Sequence, residues 1–259
     1  MDQRTHRELN EFQIRNLKII THLIQEDAVT DDVIEYLHQS ELDYFSLLQK
    51  YRLLEEKVNV DEKTNLLKHK DQYLTEIIKT ASRFYYGIKD TDYPISLIRF
   101  DIDDFSLFNN RYGHDVGDRV LVQVAGAIRN SSRPTDYAIR FGGEEFDVIL
   151  PSTSLDGTII YVDKVFERFH NICVDHDGEK LSVTVSAGIS HMHYRFNKNK
   201  KVEDSDVKKR YLDLQKKADN ALYEAKFLGK NRYCIYSGKK KAEYVRMREA
   251  YTAGGSRVS

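Results

Sequence analysis

Two short stretches set carboxylates where they could act together. Residues 100–105, FDIDDF, place Asp101, Asp103 and Asp104 at the end of an apolar run. Residues 140–146, RFGGEEF, place Glu144 and Glu145 directly after Gly142 and Gly143. If FDID is a strand, Asp101 and Asp103 share one face and Asp104 the other. Should the two stretches lie side by side, Asp101 and Glu144 converge. Two carboxylates, a backbone carbonyl and water form the hard-oxygen site that Mg²⁺ prefers, usually completed by substrate phosphates. Such carboxylates repel one another unless a cation is present. A turn without side chains also lets a ligand approach the backbone.

The elements that would position these residues are legible from periodicity. Residues 67–87 read as a helix ending at Gly87, and YPISLIRFDID as a strand buried on both faces. GDRVLVQVAGAIRNSS reads as a helix after the YGHD turn. DYAIRF and EFDVIL read as strands joined by Gly142-Gly143 in a two-residue hairpin. LDGTIIYVDKVFERFHNI is a predicted helix and KLSVTVSAGISHMH a predicted strand. YLDLQKKADNALYEAKFLG is a predicted helix closed by Gly229, and NRYCIYS a last strand. The order α-β-α-β-β-α-β-α-β contains β-α-β-β-α-β, so the expected fold is α/β (α+β), a ferredoxin-like split βαβ palm. Residues 196–210 read as a solvated loop, and 238–259 as a basic, flexible tail.

The first sixty residues contain no Gly or Pro and read as helical. Leu9, Phe12, Ile19 and Leu23 recur at helical spacing, interrupted by Asn16. After Thr30, a candidate N-cap, Val33, Leu37, Ser40, Tyr44, Leu47, Tyr51, Leu54 and Val58 follow a 4-3-4-3 rhythm. That seam fits a helix pair or a parallel dimer stalk, and equally an amphipathic helix packed on its own chain. The expected division is a helical segment over 1–60, a mixed α/β domain over 61–237 and the tail.

Composition narrows the class. Among 259 residues, 40 Lys+Arg balance 41 Asp+Glu, giving a net charge of −1 and no global pull toward nucleic acid or anionic membrane. Two cysteines, Cys173 and Cys234, lie outside any CxxC spacing, which argues against a disulfide scaffold or zinc ribbon. The start is too polar for a secretory signal, and no apolar run of bilayer length occurs, so a cytoplasmic protein is expected. His191-Met192-His193 is an HxH at a strand end with no third ligand evident nearby, and is read as structural or exposed.

GGEEF at 142–146 resembles the signature of the GGDEF-domain diguanylate cyclases. FDIDDFSLFNNRYGHDVGDRVL at 100–121, VTVSAGIS at 183–190 and ADNALYEAKFLGKNRY at 218–233 are similar to that family's later landmarks, in order. DEKTNLLKHK at 61–70 resembles its opening motif. The resemblance implies condensation of two GTP into cyclic di-GMP with release of two pyrophosphates. It implies Mg²⁺ or Mn²⁺ on Asp101, Glu144 and the Ile102 carbonyl, with Glu144 and Glu145 as catalytic carboxylates and Glu144 as proton acceptor. It also implies guanine contacts from Asn109, His114 and Asp118, and phosphate contacts from Lys226 and Lys230. One palm holds one GTP, so a homodimer is implied. Arg133 and Asp136 form an RxxD in the register of the family's inhibitory product site. Ser106 stands where the family has Lys, Lys230 where it has Arg, and Asn65 where it has Gly. The alternative is a non-catalytic effector that binds cyclic di-GMP or GTP and signals through its helices, on which an unknown protein could dock. Neither nucleic acid nor membrane is an expected partner.

Overall fold

The computed structural model describes residues 59–84, 92–196 and 202–247, together with isolated positions among residues 18–47. The chain divides into two compact units, Met1–Val58 and Asn59–Ser259. In the first, the described residues other than Thr30 are helical, and Val33 N donates to Thr30 O at 3.1 Å. Val33, Ser40 and Tyr44 of the heptad-like seam are half-buried, whereas Leu47 is exposed. Leu37, Tyr51, Leu54 and Val58 lie outside the described residues, as do Leu9, Phe12 and Leu23.

The second unit is built on a six-stranded sheet. In chain order its elements are β1 (Leu67–Lys68), α1 (Tyr73–Phe84), β2 (Asp92–Ile102), α2 (Phe105–Tyr112) and α3 (His114–Arg129). Then come β3 (Tyr137–Arg140), β4 (Glu145–Pro151), α4 (Leu155–Phe169), and the small hairpin of β5 (Val174–His176) and β6 (Glu179–Leu181). Last are β7 (Val185–Arg195), α5 (Asp204–Phe227) and β8 (Tyr233–Ile235). The strands are ordered β1-β3-β4-β2-β7-β8, and the inner part β3-β4-β2-β7, antiparallel throughout, is the split βαβ arrangement the sequence implies.

Alternation along β2 explains the layering. Ile98, Phe100 and Ile102 face one core with α3 and α4, while Ile95 and Leu97 face another with α1 and α5. A sheet covered on both sides must be apolar on both faces, hence the run ISLIRF. Gly188 allows the closest approach: a Cβ there would lie 2.0 Å from Ala218 O and 2.3 Å from Leu222 N. α5 can sit on β7 only because that side chain is missing.

Several sequence expectations require correction. Residues 67–87 are not one helix, because Asn65 takes a left-handed φ of 55° and Asp61 Oδ1 accepts from Thr64 N at 2.9 Å. That turn sends Leu67–Lys68 into the sheet, parallel to β3, and α1 starts only at Tyr73. Residues 105–112 form a helix that was not anticipated, and α3 opens at His114. The β3–β4 connection is not a two-residue hairpin: Arg140 pairs with Phe146, and Glu145 O accepts from both Phe141 N and Gly142 N. Residues 204–210 are the first turns of α5 rather than loop, drawn in by Val207, which is fully buried. The tail is ordered over 238–247, where Tyr244 is buried and accepts from Ser237 N at 2.9 Å.

Candidate functional site

The register of β2 and β4 sets Asp101 opposite Glu145, and Ile102 N lies 3.4 Å from Glu144 O. The two acidic stretches therefore converge at one end of the sheet. Asp101 is 7% exposed, and Lys226, from the last turn of α5, places Nζ 2.7 Å from its Oδ1. Burial pushes the Asp101 carboxyl up to about 6; Lys226 opposes the rise, and Glu144 and Asp103 reinforce it. Burial likewise raises Glu144, with Lys226 opposing and Glu145 adding to the shift. Burial raises Glu145 as well, countered by Arg99.

Asp103 does not join them. Its carboxylate accepts from Thr184 Oγ1 and Ser186 Oγ, both at 2.7 Å, and from Asn231 N at 3.1 Å. Three donors make it a structural clasp between the end of β2, the start of β7 and the turn before β8. Asp104, at φ 54°, pairs instead with Lys230 Nζ at 2.6 Å.

The helix hairpin α2–α3 assembles a second group. Asn109 Oδ1 is buried with no hydrogen-bond partner, against Gly117, where a Cβ would come within 1.8 Å of it. Asp118 follows directly and holds Lys63 Nζ at 2.5 Å. His114 is exposed at the start of α3, and Ser106 is exposed in the first turn of α2. Arg133 and Asp136 close a turn of their own, Arg133 N donating to Asp136 Oδ2 at 2.7 Å and Asp136 N to Arg133 O at 3.0 Å. Asp136 Oδ1 is buried without a partner, while Arg133 is exposed.

Sequence reasoning missed the residues that brace the glycines. Arg140 Nη2 donates to Gly143 O at 2.9 Å and Nε to Gly142 O at 3.3 Å, while Nη1 pairs with Asp61 at 3.0 Å. Arg99 donates two 2.8 Å bonds to buried Asp147, and its guanidinium lies 3.7 Å from the centroid of the Phe141 ring. An arginine at an inward strand position, two residues before Asp101, was the available signal. Neither Gly142 nor Gly143 takes a positive φ, and a Cβ on Gly143 would meet nothing within 4 Å. Gly143 thus answers no local steric demand, whereas a Cβ on Gly142 would come within 3.2 Å of Glu145 Oε2.

The donors present fit a hard divalent cation. Asp101 Oδ1 is a buried carboxylate oxygen whose close neighbour is a cationic side chain, and the Glu144 carboxylate is near enough to perturb it. Among the described residues, no group of three or more His, Cys, Asp or Glu converges as a metal cage, so substrate oxygens and water would complete the shell. No described helix is long and apolar enough to cross a membrane.

A family model described as "Diguanylate cyclase, GGDEF domain" matches residues 58–232. Diguanylate cyclase A of Treponema denticola is 35% identical over 141 residues, 54% of this chain and 35% of that protein. Response regulator PleD of Caulobacter vibrioides is 34% identical over 142 residues, 53% of this chain and 28% of its own length. The chain thus spans about a third of the curated relatives it matches. The coiled coil and GGDEF domain of DgcB from Caulobacter crescentus, solved with c-di-GMP, superposes with a TM-score of 0.61 at 23% identity. It covers 79% of this chain and 100% of that one, a likeness of fold. Diguanylate cyclase SiaD of Pseudomonas aeruginosa, solved with its activator SiaC, gives 0.59 at 26% identity over 90% of this chain and 83% of that one.

Proposed function

The chain belongs to the diguanylate cyclase GGDEF-domain family, and from that premise we propose that it condenses two GTP into cyclic di-GMP with release of two pyrophosphates. The observation that carries the reading is Asp101, a buried carboxylate raised to about 6 beside Glu144 and faced by Lys226 at 2.7 Å. Such a group is costly to keep unless a cation and phosphates are to occupy its surroundings.

In this reading Asp101, Glu144 and the Ile102 carbonyl hold Mg²⁺ or Mn²⁺. When bound, the cation would neutralise phosphate charge and make the attacking hydroxyl more acidic. Glu144 accepts the proton of the 3′-hydroxyl; that oxygen bonds to the α-phosphorus of the facing GTP, and pyrophosphate leaves. Glu145 supplies negative charge beside it. Lys226 exchanges Asp101 for phosphate oxygens, and Lys230 exchanges Asp104. Asn109 Oδ1, an acceptor with no donor, takes a guanine N–H. Asp118 takes another once Lys63 has moved aside, and His114 lines the same pocket. Because each palm presents one nucleotide, two chains must face each other.

Arg133 and Asp136 are assigned to product inhibition. The exposed guanidinium can take a guanine O6/N7 edge bidentately, and the unpartnered Asp136 Oδ1 can accept from the base.

Purified protein incubated with GTP and Mg²⁺ is expected to yield cyclic di-GMP, and Glu144→Gln to abolish it while leaving the fold intact. Ser106 favours a second reading, a non-catalytic effector, since no cation stands at that exposed position. Calorimetric binding of GTP or cyclic di-GMP without turnover selects that reading.

A further inference from the structure

At the other end of β2 and β7, far from the carboxylates, the antiparallel register sets Ser96 opposite His191, Pro94 opposite His193, and Asp92 opposite Arg195. His191 and His193 share a face, and their Nε2 atoms lie 3.3 Å apart. Two Zn–N bonds of about 2.0–2.1 Å at the tetrahedral angle would hold their nitrogens at roughly that separation.

The hydrogen bonds behind His191 fix its tautomer. Thr158 Oγ1 donates its proton to Ser154 O at 2.9 Å. It must therefore accept from Ser96 Oγ, 2.6 Å away. Ser96 has then spent its proton and can only accept from His191 Nδ1, at 2.9 Å. Neutral His191 thus carries its hydrogen on Nδ1 and aims the Nε2 lone pair at His193. On the far side of His193, Nδ1 lies 4.0 Å from Asp92 Oδ2, while Asp92 Oδ1 accepts from Arg195 Nε at 2.9 Å. With His191 Nε2 bare, the 3.3 Å contact is closed either by a hydrogen on His193 Nε2 or by a cation that both nitrogens ligate.

We propose that His191 and His193 form a zinc site in which one Zn²⁺ is held by the two Nε2 atoms and completed by water. Ser96 acts behind it as the outer-shell partner that orients His191, the role carboxylates and carbonyls play around metal-bound imidazoles. Ser96 and Thr158 are fully buried, so this orientation is built into the core rather than chosen by solvent. Imidazole nitrogen suits Zn²⁺ and disfavours Mg²⁺, which separates the site chemically from the carboxylates. With only two protein ligands it is an exchangeable site rather than a structural cage.

Equilibrium dialysis of the full chain against Zn²⁺, with Mg²⁺ in large excess to occupy the carboxylates, tests this. His193→Ala is expected to bind one zinc fewer per chain while melting as wild type, since that side chain is 55% exposed. Ser96→Ala is expected to weaken the same zinc by about tenfold or more. Equal zinc content and affinity in wild type and a folded His193→Ala overturns the proposal. So does an imidazole nitrogen spectrum showing zinc-free, neutral His191 protonated on Nε2.

Discussion

Lys226 Nζ stands 2.7 Å from Asp101 Oδ1, and both side chains are almost wholly withdrawn from solvent. The lysine does not rescue the aspartate fully: burial outweighs the attraction, and the carboxyl still sits at about 6 against 3.8 unperturbed. The Asp101 carboxylate is thus an electrostatic cost, partly offset by the Lys226 ammonium, which substrate phosphates could draw away.

That cost has a sign in pH. A carboxyl raised in the folded state binds its proton more tightly there than in the unfolded chain. Stability from this group is therefore greatest below pH 4 and falls as pH rises from about 4 to 6, by about 3 kcal/mol. Asp101→Asn is expected to stabilise the protein by about 1–3 kcal/mol at pH 7.5 and by almost nothing at pH 4, while abolishing product. Urea denaturation at the two pH values measures it, and equal effects at both would refute the account.

Arg99 and Asp147 are buried and fully paired with each other, so removing one strands the other. Arg99→Met is expected to cost about 3–5 kcal/mol, and the double variant Arg99→Met/Asp147→Leu to recover most of that loss. Guanidinium denaturation of the single and double variants decides it.

The glycines separate packing from chemistry. Gly188→Ala forces a Cβ into the α5 backbone and is expected to cost well over 3 kcal/mol or prevent folding. Gly143→Ala meets open space at an ordinary φ and is expected to change stability by under about 0.5 kcal/mol. Its turnover of GTP should nevertheless fall. Thermal melts paired with product assays distinguish the two.

Arg133→Ala removes an exposed guanidinium from the turn that precedes β3. Final yield of cyclic di-GMP is expected to rise, with the initial rate at zero product unchanged. Progress curves read both quantities, and an unchanged plateau would remove Arg133 from product inhibition.

Ser106→Lys restores a cation in the exposed first turn of α2. It is expected to raise the turnover number about tenfold or more, with little change in melting temperature. A single-turnover assay shows whether the chemical step is what responds.

The sequence alone determined the inner order of the sheet, β3-β4-β2-β7, and the meeting of FDIDDF with RFGGEEF. Their apolar alternation leaves β2 and β4 few other places in a βαββαβ core. It also singled out Asp101 and Glu144 as candidates, because acidic residues at strand ends are exceptions to that alternation. It misjudged Leu67–Lys68, residues 105–112 and residues 204–210, where a left-handed Asn65 and the burial of Val207 override local pattern. Only the tertiary structure decided that Asp103 is a clasp while Asp101 is strained. Adjacent carboxylates look alike in sequence, and what separates them is whether three donors or one buried ammonium arrives from residues more than eighty positions away. The same holds for His191 and His193, whose spacing said little until Ser96 and Thr158 fixed where one proton sits.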